Sequence, residues 1–341
     1  MKPLIITMGD PTGIGPEIII KALLAGEFDA LRTPLLIAGD VGVLLRAARI
    51  FGVEGILAAG ESADEVLLHF GPRSLRVQTL SALDATGLHY GAPDRDCGAA
   101  MLAYIEWACA ACLDGRAVGM VTAPISKAAI RSAGSPFPGH TELLAARCGV
   151  SKEVMMLAGD RLKVALVTTH HAYSAVPALL STAEILATIR VTDAALRRHF
   201  GLAAPRLAIL ALNPHAGEGG QFGDEERTAI APAIAAAQAE GIVASGPHSA
   251  DTLFHFAAQG AYDAVICMYH DQGLIPLKLL HFDDGVNVTL GLPIVRTSVD
   301  HGTAYDLAGS GRASAASLVA AIRMAEQMAG TCTTSDENPL L

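Results

Sequence analysis

The chain alternates short runs of apolar, often β-branched residues with longer stretches rich in alanine and leucine. Short runs bounded by glycine, proline or polar residues are typical of buried strands, and the longer stretches are typical of helices. Their alternation indicates helices on both faces of a largely parallel sheet. We therefore predict an α/β fold with strands at residues 4–7, 35–38, 75–79, 118–121, 164–168, 207–212, 264–268, 286–290 and 294–297.

Length and composition refine this prediction. At 341 residues the chain is longer than most single-core domains, so we expect a two-lobed α/β/α protein. A content of 51% hydrophobic and 5% aromatic residues favours this compact fold over a disordered chain.

The charge of the chain limits its partners. A net charge of −10, with no run rich in Lys and Arg, argues against nucleic acid or an anionic membrane as a partner, so we expect a small-molecule substrate. A phosphorylated substrate is compatible with this charge, because a few local cations and helix-start amides suffice to bind an anion. The apolar run at residues 4–6 is too short for a signal peptide or a membrane span, which predicts a cytoplasmic protein.

The six cysteines are sparse, which predicts reduced thiols rather than a disulfide scaffold. Cys109 and Cys112 form a Cys-x-x-Cys that could be redox-active or half of a zinc site, but no second pair follows at zinc-ribbon spacing. The apolar residues around them repeat with a helical period, so we interpret both as small buried side chains.

Histidines follow three of the predicted strands. They are His215 within residues 213–220, His270 within residues 269–273, and the adjacent His170 and His171. The carboxyl ends of parallel strands share one edge of a sheet, where ligands gather, and three histidines with an open position make a catalytic metal site. Asp271 could be a further ligand, a partner that orients a histidine, a substrate contact or a helix cap.

Two isolated cations accompany these histidines. Lys278 lies in an otherwise apolar stretch, where we expect a buried environment, and Arg296 ends the apolar run 294–295. Structural ion pairs would explain both. Together with His140 they could instead form a pocket for a phosphate group.

Five motifs make the chain resemble the 4-hydroxythreonine-4-phosphate dehydrogenase family of vitamin B6 biosynthesis over nearly its whole length. These motifs are residues 9–17, 136–142, 212–219, 268–273 and 296–304. The resemblance implies an isocitrate and isopropylmalate dehydrogenase-like fold. It also implies oxidation of 4-phosphooxy-L-threonine by NAD or NADP to 2-amino-3-oxo-4-phosphooxybutanoate, which decarboxylates to 3-amino-2-oxopropyl phosphate.

The resemblance also implies roles for individual residues. The metal ligands would be His170, His215 and His270, with His270 contributed by the other subunit of a homodimer whose active site is shared. The substrate contacts would be His140, Thr141, Lys278, Asn287 and Arg296. The cofactor would bind to a loop similar to the adenosine loop of isopropylmalate dehydrogenases, with contacts from Gly302, Thr303, Ala304 and Asp306.

Several alternatives remain open at this point. The general base is Lys278, Asp251 or Asp271, and the cation is Zn²⁺, Co²⁺, Mg²⁺ or Mn²⁺. Related branches of the family act on aldonate 4-phosphates (threonate or erythronate) or on carboxylated cis-dihydrodiols, although residues 136–138 favour the hydroxythreonine branch.

The two expected lobes can be assigned to parts of the chain. We place the lobe with the N-terminal loop and the cofactor-side segment at residues 1–130 and 295–341. Residues 131–294 are the predicted metal- and substrate-binding lobe.

Overall fold

A computed structural model describes residues 1–332 of the chain. These residues form two compact units. Unit 1 comprises Met1–Val150 and Leu292–Ala329, and unit 2 comprises Ser151–Gly291 and the residues from Gly330. Residues 131–150 and 292–294, which were predicted to belong to the second lobe, lie in unit 1. The end of the predicted range, residues 333–341, lies outside the described residues.

Thirteen strands occur in the described residues. They are β1 (Leu4–Thr7), β2 (Leu35–Gly39), β3 (Ile56–Ala59), β4 (Glu65–Phe70), β5 (Arg73–Thr79), β6 (Gly119–Thr122), β7 (Val154–Ala158), β8 (Lys163–Leu166), β9 (Leu207–Leu210), β10 (Ala244–His248), β11 (Ala264–Cys267), β12 (Val286–Leu290) and β13 (Arg296–Val299). Each predicted strand overlaps one of them, and β3, β4, β7 and β10 were not predicted.

Eleven α-helices separate these strands in residues 1–332. They are α1 (Gly15–Ala25), α2 (Val41–Ile50), α3 (Arg95–Leu113), α4 (Lys127–Ser132), α5 (His140–Cys148), α6 (Val176–Leu179), α7 (Thr182–Phe200), α8 (Ala231–Ala239), α9 (Ala250–Ala257), α10 (His270–Leu280) and α11 (Ala316–Cys332). Polar side chains begin several of them: Asp40 accepts from the Val43 amide at 3.1 Å, and Asp94 accepts from the Cys97 amide at 2.8 Å.

The strands of unit 1 are ordered β13-β6-β1-β2-β5-β4-β3. Pairing is parallel from β13 to β5 and antiparallel across β5, β4 and β3. The central strand β1 is buried at every position, as expected of a parallel strand covered on both faces. The carboxyl ends of β13, β6 and β1 therefore lie side by side.

The strands of unit 2 are ordered β10-β9-β11-β8-β7-β12. The pairs from β10 to β8 are parallel, whereas β7 pairs antiparallel with both β8 and β12. A core of aliphatic side chains covers β8, β9 and β11, with Val164, Leu210 and Val265 at its centre. The predicted α/β fold with mostly parallel strands is confirmed.

Two candidate membrane spans occur in residues 1–332 by length and hydropathy alone. Helix α3 passes as a single helix, and the sharply bent pair made by residues 173–179 and α7 passes only when counted as one span. More than half of the apolar window of α3 is buried inside the protein, as in the core helix of a globular fold, so it is weak support for a span.

Candidate functional site

Two of the predicted metal ligands come together in unit 2. His170 follows β8 and His270 begins α10 directly after β11, the parallel neighbour of β8. Beyond the strands, the Thr168 hydroxyl donates to the Met268 carbonyl at 2.7 Å, which holds the two loops together. The imidazole centroids of His170 and His270 are 5.3 Å apart. Of the adjacent candidates, it is thus His170 whose ring lies beside His270.

Asp271 orients one of these rings. Its Oδ1 atom is 2.7 Å from His270 Nδ1, and its Oδ2 atom accepts from the Tyr173 hydroxyl at 3.1 Å. The hydrogen bonds with His270 and Tyr173 hold the pKa of the Asp271 carboxyl below its usual value. A carboxylate on Nδ1 favours the tautomer that leaves Nε2 as a metal ligand. Of the four roles considered for Asp271, this contact matches the orienting partner.

His215 lies in an unusual loop after β9. Residues 215–219 all have left-handed backbone angles, and three of them are not glycine: His215 (φ 51°), Ala216 (φ 55°) and Glu218 (φ 43°). Such a conformation costs about 1–2 kcal/mol for each non-glycine residue. Strain of this kind persists where the surroundings impose it, and it concentrates at functional sites.

A buried carboxylate anchors the entrance to this loop. Glu226 Oε1 accepts from the amides of Leu212 and Asn213 at 2.9 and 2.8 Å, and Glu226 Oε2 accepts from Asn213 Nδ2 at 3.0 Å. Glu226 therefore anchors the residues that enter the loop. Glu226 was not predicted from the sequence, because nothing in its neighbourhood distinguishes it from a solvated helix carboxylate.

The third histidine does not complete a metal centre within one chain. The His215 side chain is 66% exposed and lies 3.3 Å from Glu218 through Nδ1. Within residues 1–332, no group of three or more His, Cys, Asp or Glu side chains is placed to hold a metal ion. The family resemblance implies that His270 comes from the other subunit, so the three-histidine centre stays a prediction for the dimer.

Unit 1 contains a buried cation at the start of β13. Arg296 is 3% exposed, and its Nη2 atom donates to Thr122 Oγ1 on the neighbouring strand β6 at 2.6 Å. Burial lowers the pKa of Arg296 to about 10, against the opposing effect of Glu142. The guanidinium therefore stays charged at neutral pH.

His140 begins α5 in the same unit. Its Nε2 atom is buried without a hydrogen-bond partner, and Thr141 follows it as a half-buried side chain. Burial, together with the charges of Arg296 and Lys127, holds the pKa of His140 well below its usual value. A neutral ring with an unsatisfied buried nitrogen can bond to an incoming polar group, and the nearby cations favour an anion.

The remaining predicted substrate residues and bases lie in unit 2. Asn287 on β12 has a buried Oδ1 atom without a hydrogen-bond partner.

Lys278 lies in the last turn of α10 and is half-buried, in contrast to the buried environment that its apolar neighbours suggested. Among those neighbours Leu274 and Leu277 are buried, whereas Ile275 and Leu279 are 66% and 84% exposed, so only one face of the helix is surface. Asp251 on α9 is exposed and accepts from Ser249 Oγ at 2.6 Å.

The predicted cofactor loop packs on the N-terminal loop of unit 1. The Thr303 carbonyl accepts from the Ile14 amide at 3.1 Å, and a Cβ atom on Gly13 would lie 3.2 Å from that carbonyl. Glycine at position 13 thus permits the close approach of the two loops. The close approach accounts for Gly13 in the sequence Gly13-Ile14-Gly15. The dinucleotide-binding motif requires a third glycine at position 18, where this chain has Ile18.

A hydrogen-bonded pair that the sequence analysis missed joins these loops. The Tyr305 hydroxyl donates to Asp10 Oδ2 at 2.6 Å, while Asp10 Oδ1 accepts from the amide and hydroxyl of Thr12 at 2.8 Å each. Ala304, beside Tyr305, has a left-handed φ of 43°.

The outer side of the predicted cofactor loop faces solvent. Gly302 and Asp306 are exposed, and a Cβ atom on Gly302 would meet nothing within 4 Å. This open backbone fits the close approach of a flat nucleotide.

Comparison with known proteins identifies relatives over nearly the full length. A family model described as pyridoxal phosphate biosynthetic protein PdxA matches residues 30–325. A 4-hydroxythreonine-4-phosphate dehydrogenase from Geobacter metallireducens is 57% identical over 330 residues, which are 96% of each chain.

Solved structures extend this comparison. A 4-hydroxythreonine-4-phosphate dehydrogenase from Klebsiella pneumoniae superimposes with a TM-score of 0.83 at 41% identity, covering 96% of this chain and 98% of that one. A terephthalate 1,2-cis-dihydrodiol dehydrogenase from Burkholderia xenovorans gives a TM-score of 0.65 at 29% identity, with the same coverage.

Proposed function

Because the chain belongs to the family of the pyridoxal phosphate biosynthetic protein PdxA, the 4-hydroxythreonine-4-phosphate dehydrogenases, we propose that it oxidises 4-phosphooxy-L-threonine. The secondary alcohol becomes a ketone as NAD or NADP takes the hydride. The resulting 2-amino-3-oxo-4-phosphooxybutanoate then loses CO₂ to give 3-amino-2-oxopropyl phosphate. The observation that carries this proposal is the buried Arg296 near the neutral His140, whose Nε2 atom lacks a hydrogen-bond partner, because this arrangement suits a phosphate group.

His170, His215 and His270 are the proposed ligands of a divalent cation, which could be Zn²⁺, Co²⁺ or Mg²⁺. The donor chemistry fits, since the bond from Asp271 to His270 Nδ1 directs Nε2 outward, and the strained loop holds His215 on the protein surface. When bound, such a cation lowers the pKa of a substrate hydroxyl and draws electrons towards the new carbonyl group.

Arg296, His140 and Thr141 are proposed to bind the substrate. Arg296 supplies a permanent charge from a rigid strand, and a guanidinium can grip a phosphate or carboxylate through two parallel hydrogen bonds. His140 adds a neutral ring whose Nε2 atom needs a partner. We propose further polar contacts from Asn287, whose buried Oδ1 atom also lacks one, and from Lys278.

Lys278 is also the preferred general base of the three candidates. Asp271 already accepts two hydrogen bonds, and Asp251 is exposed at the start of α9.

The backbone of Gly302, Thr303 and Ala304, with Asp306, is proposed to hold the dinucleotide.

We further propose a homodimer in the cytoplasm. Exposed apolar side chains surround the end of α10: Ile275, Leu279 and Phe282 are 66%, 84% and 78% exposed. A second copy of the chain would cover them, because contiguous exposed apolar surface of this kind marks interfaces. The same helix begins with His270, so an interface on α10 would bring this residue near the partner subunit.

A substrate panel with Arg296→Lys tests the proposal. Native enzyme should turn over 4-phosphooxy-L-threonine with NAD or NADP far better than unphosphorylated 4-hydroxy-L-threonine. Arg296→Lys keeps the charge but loses the planar fork, so we expect KM to rise about 10-fold or more with a smaller change in kcat. Preference for threonate 4-phosphate, erythronate 4-phosphate or a carboxylated dihydrodiol would contradict the proposed substrate.

Arg312→Lys is the matched control, since it makes the same change at an exposed position on the loop that follows the proposed cofactor residues. We expect native KM for the control. Equal KM values for native enzyme and Arg296→Lys would contradict the role of Arg296.

A further inference from the structure

A pair of thiols lies between α3 and α5 of unit 1, apart from the residues proposed to bind substrate or cofactor. Cys109 on α3 is buried at 1% exposure, and Cys148, the last residue of α5, is half-buried. Their Sγ atoms are 3.9 Å apart, although the residues are 39 positions apart in sequence. A disulfide has an S–S distance of about 2 Å, so the two sulfurs have to approach each other by about a further 2 Å to bond.

We propose that Cys109 and Cys148 are a reversible oxidation site, in which a low-molecular-weight disulfide converts the two thiols into a disulfide that fastens α5 to α3. In a reducing compartment the pair rests as two thiols, and the disulfide forms when the oxidant accumulates.

The two thiols differ in reactivity. The Cys109 and Cys148 sulfurs share a hydrogen bond in which either can be the donor, and this contact lowers the pKa of Cys148 against the opposing effect of burial. The same hydrogen bond, together with burial, raises the pKa of Cys109. Because a thiolate is the nucleophile in disulfide exchange, Cys148 is the attacking group and Cys109 is the resolving group. The partial exposure of Cys148 gives the oxidant access.

The reaction has two exchange steps. The Cys148 thiolate attacks one sulfur of oxidised glutathione, breaks its S–S bond and releases one glutathione thiolate, which takes up a proton. Cys109 then loses its proton and attacks the Cys148 sulfur, which breaks the mixed disulfide and releases the second glutathione. Two protein thiols are thereby oxidised to one disulfide, and one glutathione disulfide is reduced to two thiols.

Oxidation would affect a helix that already depends on α3. Arg147, next to Cys148, forms an ion pair with Glu106 on α3. A covalent bond at the last residue of α5 would fix the position of this nine-residue helix. His140 and Thr141 form the first turn of the same helix. An effect on substrate binding would follow, and this part of the inference rests on the proposed function.

The test uses the full-length protein equilibrated in glutathione buffers from fully reduced to fully oxidised. Samples are quenched with acid, alkylated and mapped by peptide mass spectrometry. The native protein should form a Cys109–Cys148 disulfide that dithiothreitol reverses. Cys109→Ser should instead accumulate glutathione on Cys148, because the resolving thiol is missing, whereas Cys148→Ser should form neither product at these positions.

Cys97→Ser is the matched control, because Cys97 is a buried thiol at the start of the same helix. It should form the Cys109–Cys148 disulfide as the native protein does. Persistence of both thiols in the most oxidising buffer would overturn the proposal. A disulfide between Cys112 and Cys148 would overturn it equally.

Two further measurements address the consequence of oxidation. Amide hydrogen exchange in α5 should slow about 10-fold or more in the oxidised native protein and stay unchanged in Cys148→Ser, since the cross-link suppresses local opening. Unchanged exchange would overturn the fastening of α5. The KM for 4-phosphooxy-L-threonine should also change on oxidation in the native protein alone. Mapping and exchange need no substrate, so failure of the proposed function would appear only in the kinetic measurement.

Discussion

At the scale of single residues, the contact between Asp271 and His270 gives the most direct test of metal binding. Asp271 is 47% exposed and bonds to His270 Nδ1, so Asp271→Asn should weaken the orientation of the ring without disturbing the core. Loss of such a partner typically costs about 10- to 100-fold in metal affinity. We expect a loss of this size for Zn²⁺ or Co²⁺ by isothermal titration calorimetry, with a parallel fall in kcat.

Asp283→Asn is the control for this substitution, because it removes the same charge from an exposed position on the loop after α10. It should bind the metal as the native protein does. Equal affinities for Asp271→Asn and the native protein would show that His270 does not depend on this carboxylate.

The residues of the candidate site were easier to predict from the sequence than the contacts that these residues make. The histidines after β8 and β11 were found because polar residues that follow buried strands in an α/β fold tend to line ligand sites. Glu226, Asp10 and Tyr305 were missed, because each acts through a partner distant in sequence. The half-buried position of Lys278 was also missed, because apolar neighbours do not reveal whether they face a core or an interface.

At the scale of elements, the loop after β9 stores backbone strain that a glycine would relieve. Ala216 has a φ of 55°, so Ala216→Gly should remove about 1–2 kcal/mol of strain and cost about 0.5–1 kcal/mol in backbone entropy. We expect a net stabilisation of about 0.5–1 kcal/mol in urea unfolding. Activity should fall at the same time, because a looser turn positions His215 less well.

Ala235→Gly is the matched control: it makes the same chemical change, but we expect it to lower the stability of the protein rather than raise it. Ala235 is exposed within α8, where glycine destabilises a helix by about 1 kcal/mol. If both substitutions destabilise the protein alike, the loop does not have a left-handed conformation in solution.

Some strands could be predicted from the sequence and others could not. Short, mostly apolar runs form the parallel strands β1, β2, β6, β8, β9 and β11, and these were predicted. The strand β3 is exposed at all four positions, and β10 contains Gly246 and Pro247, so neither has the pattern of a buried strand. Cross-strand pairing stabilises such strands in the fold, and pairing is not visible in a local pattern.

At the scale of the whole molecule, buried histidines make stability depend on pH. His199 on α7 is 7% exposed, and burial, followed by the charge of Arg198, lowers its pKa from 6.5 to about 4. Burial acts in the same direction on the pKa of His140. The composition of the chain could not predict this behaviour, because it depends on which of the twelve histidines are buried.

The sign of the effect follows from the protons bound in each state. Between pH 6.5 and about 4 the unfolded chain protonates His199 while the folded protein keeps it neutral, so acid favours unfolding. The stability linked to this histidine is complete above pH 6.5 and decreases as the pH falls towards 4. The slope is about 1.4 kcal/mol per pH unit, and the total is about 3 kcal/mol.

His199→Gln should remove this dependence, since glutamine does not titrate. We expect the difference in unfolding free energy between pH 6 and pH 5, measured by urea titration, to be smaller than in the native protein by about 1.4 kcal/mol. His89→Gln is the control, because it makes the same change at an exposed histidine, and the native slope should persist. Identical slopes for the native protein and His199→Gln would mean that His199 takes up its proton as readily in the folded protein as in the unfolded chain.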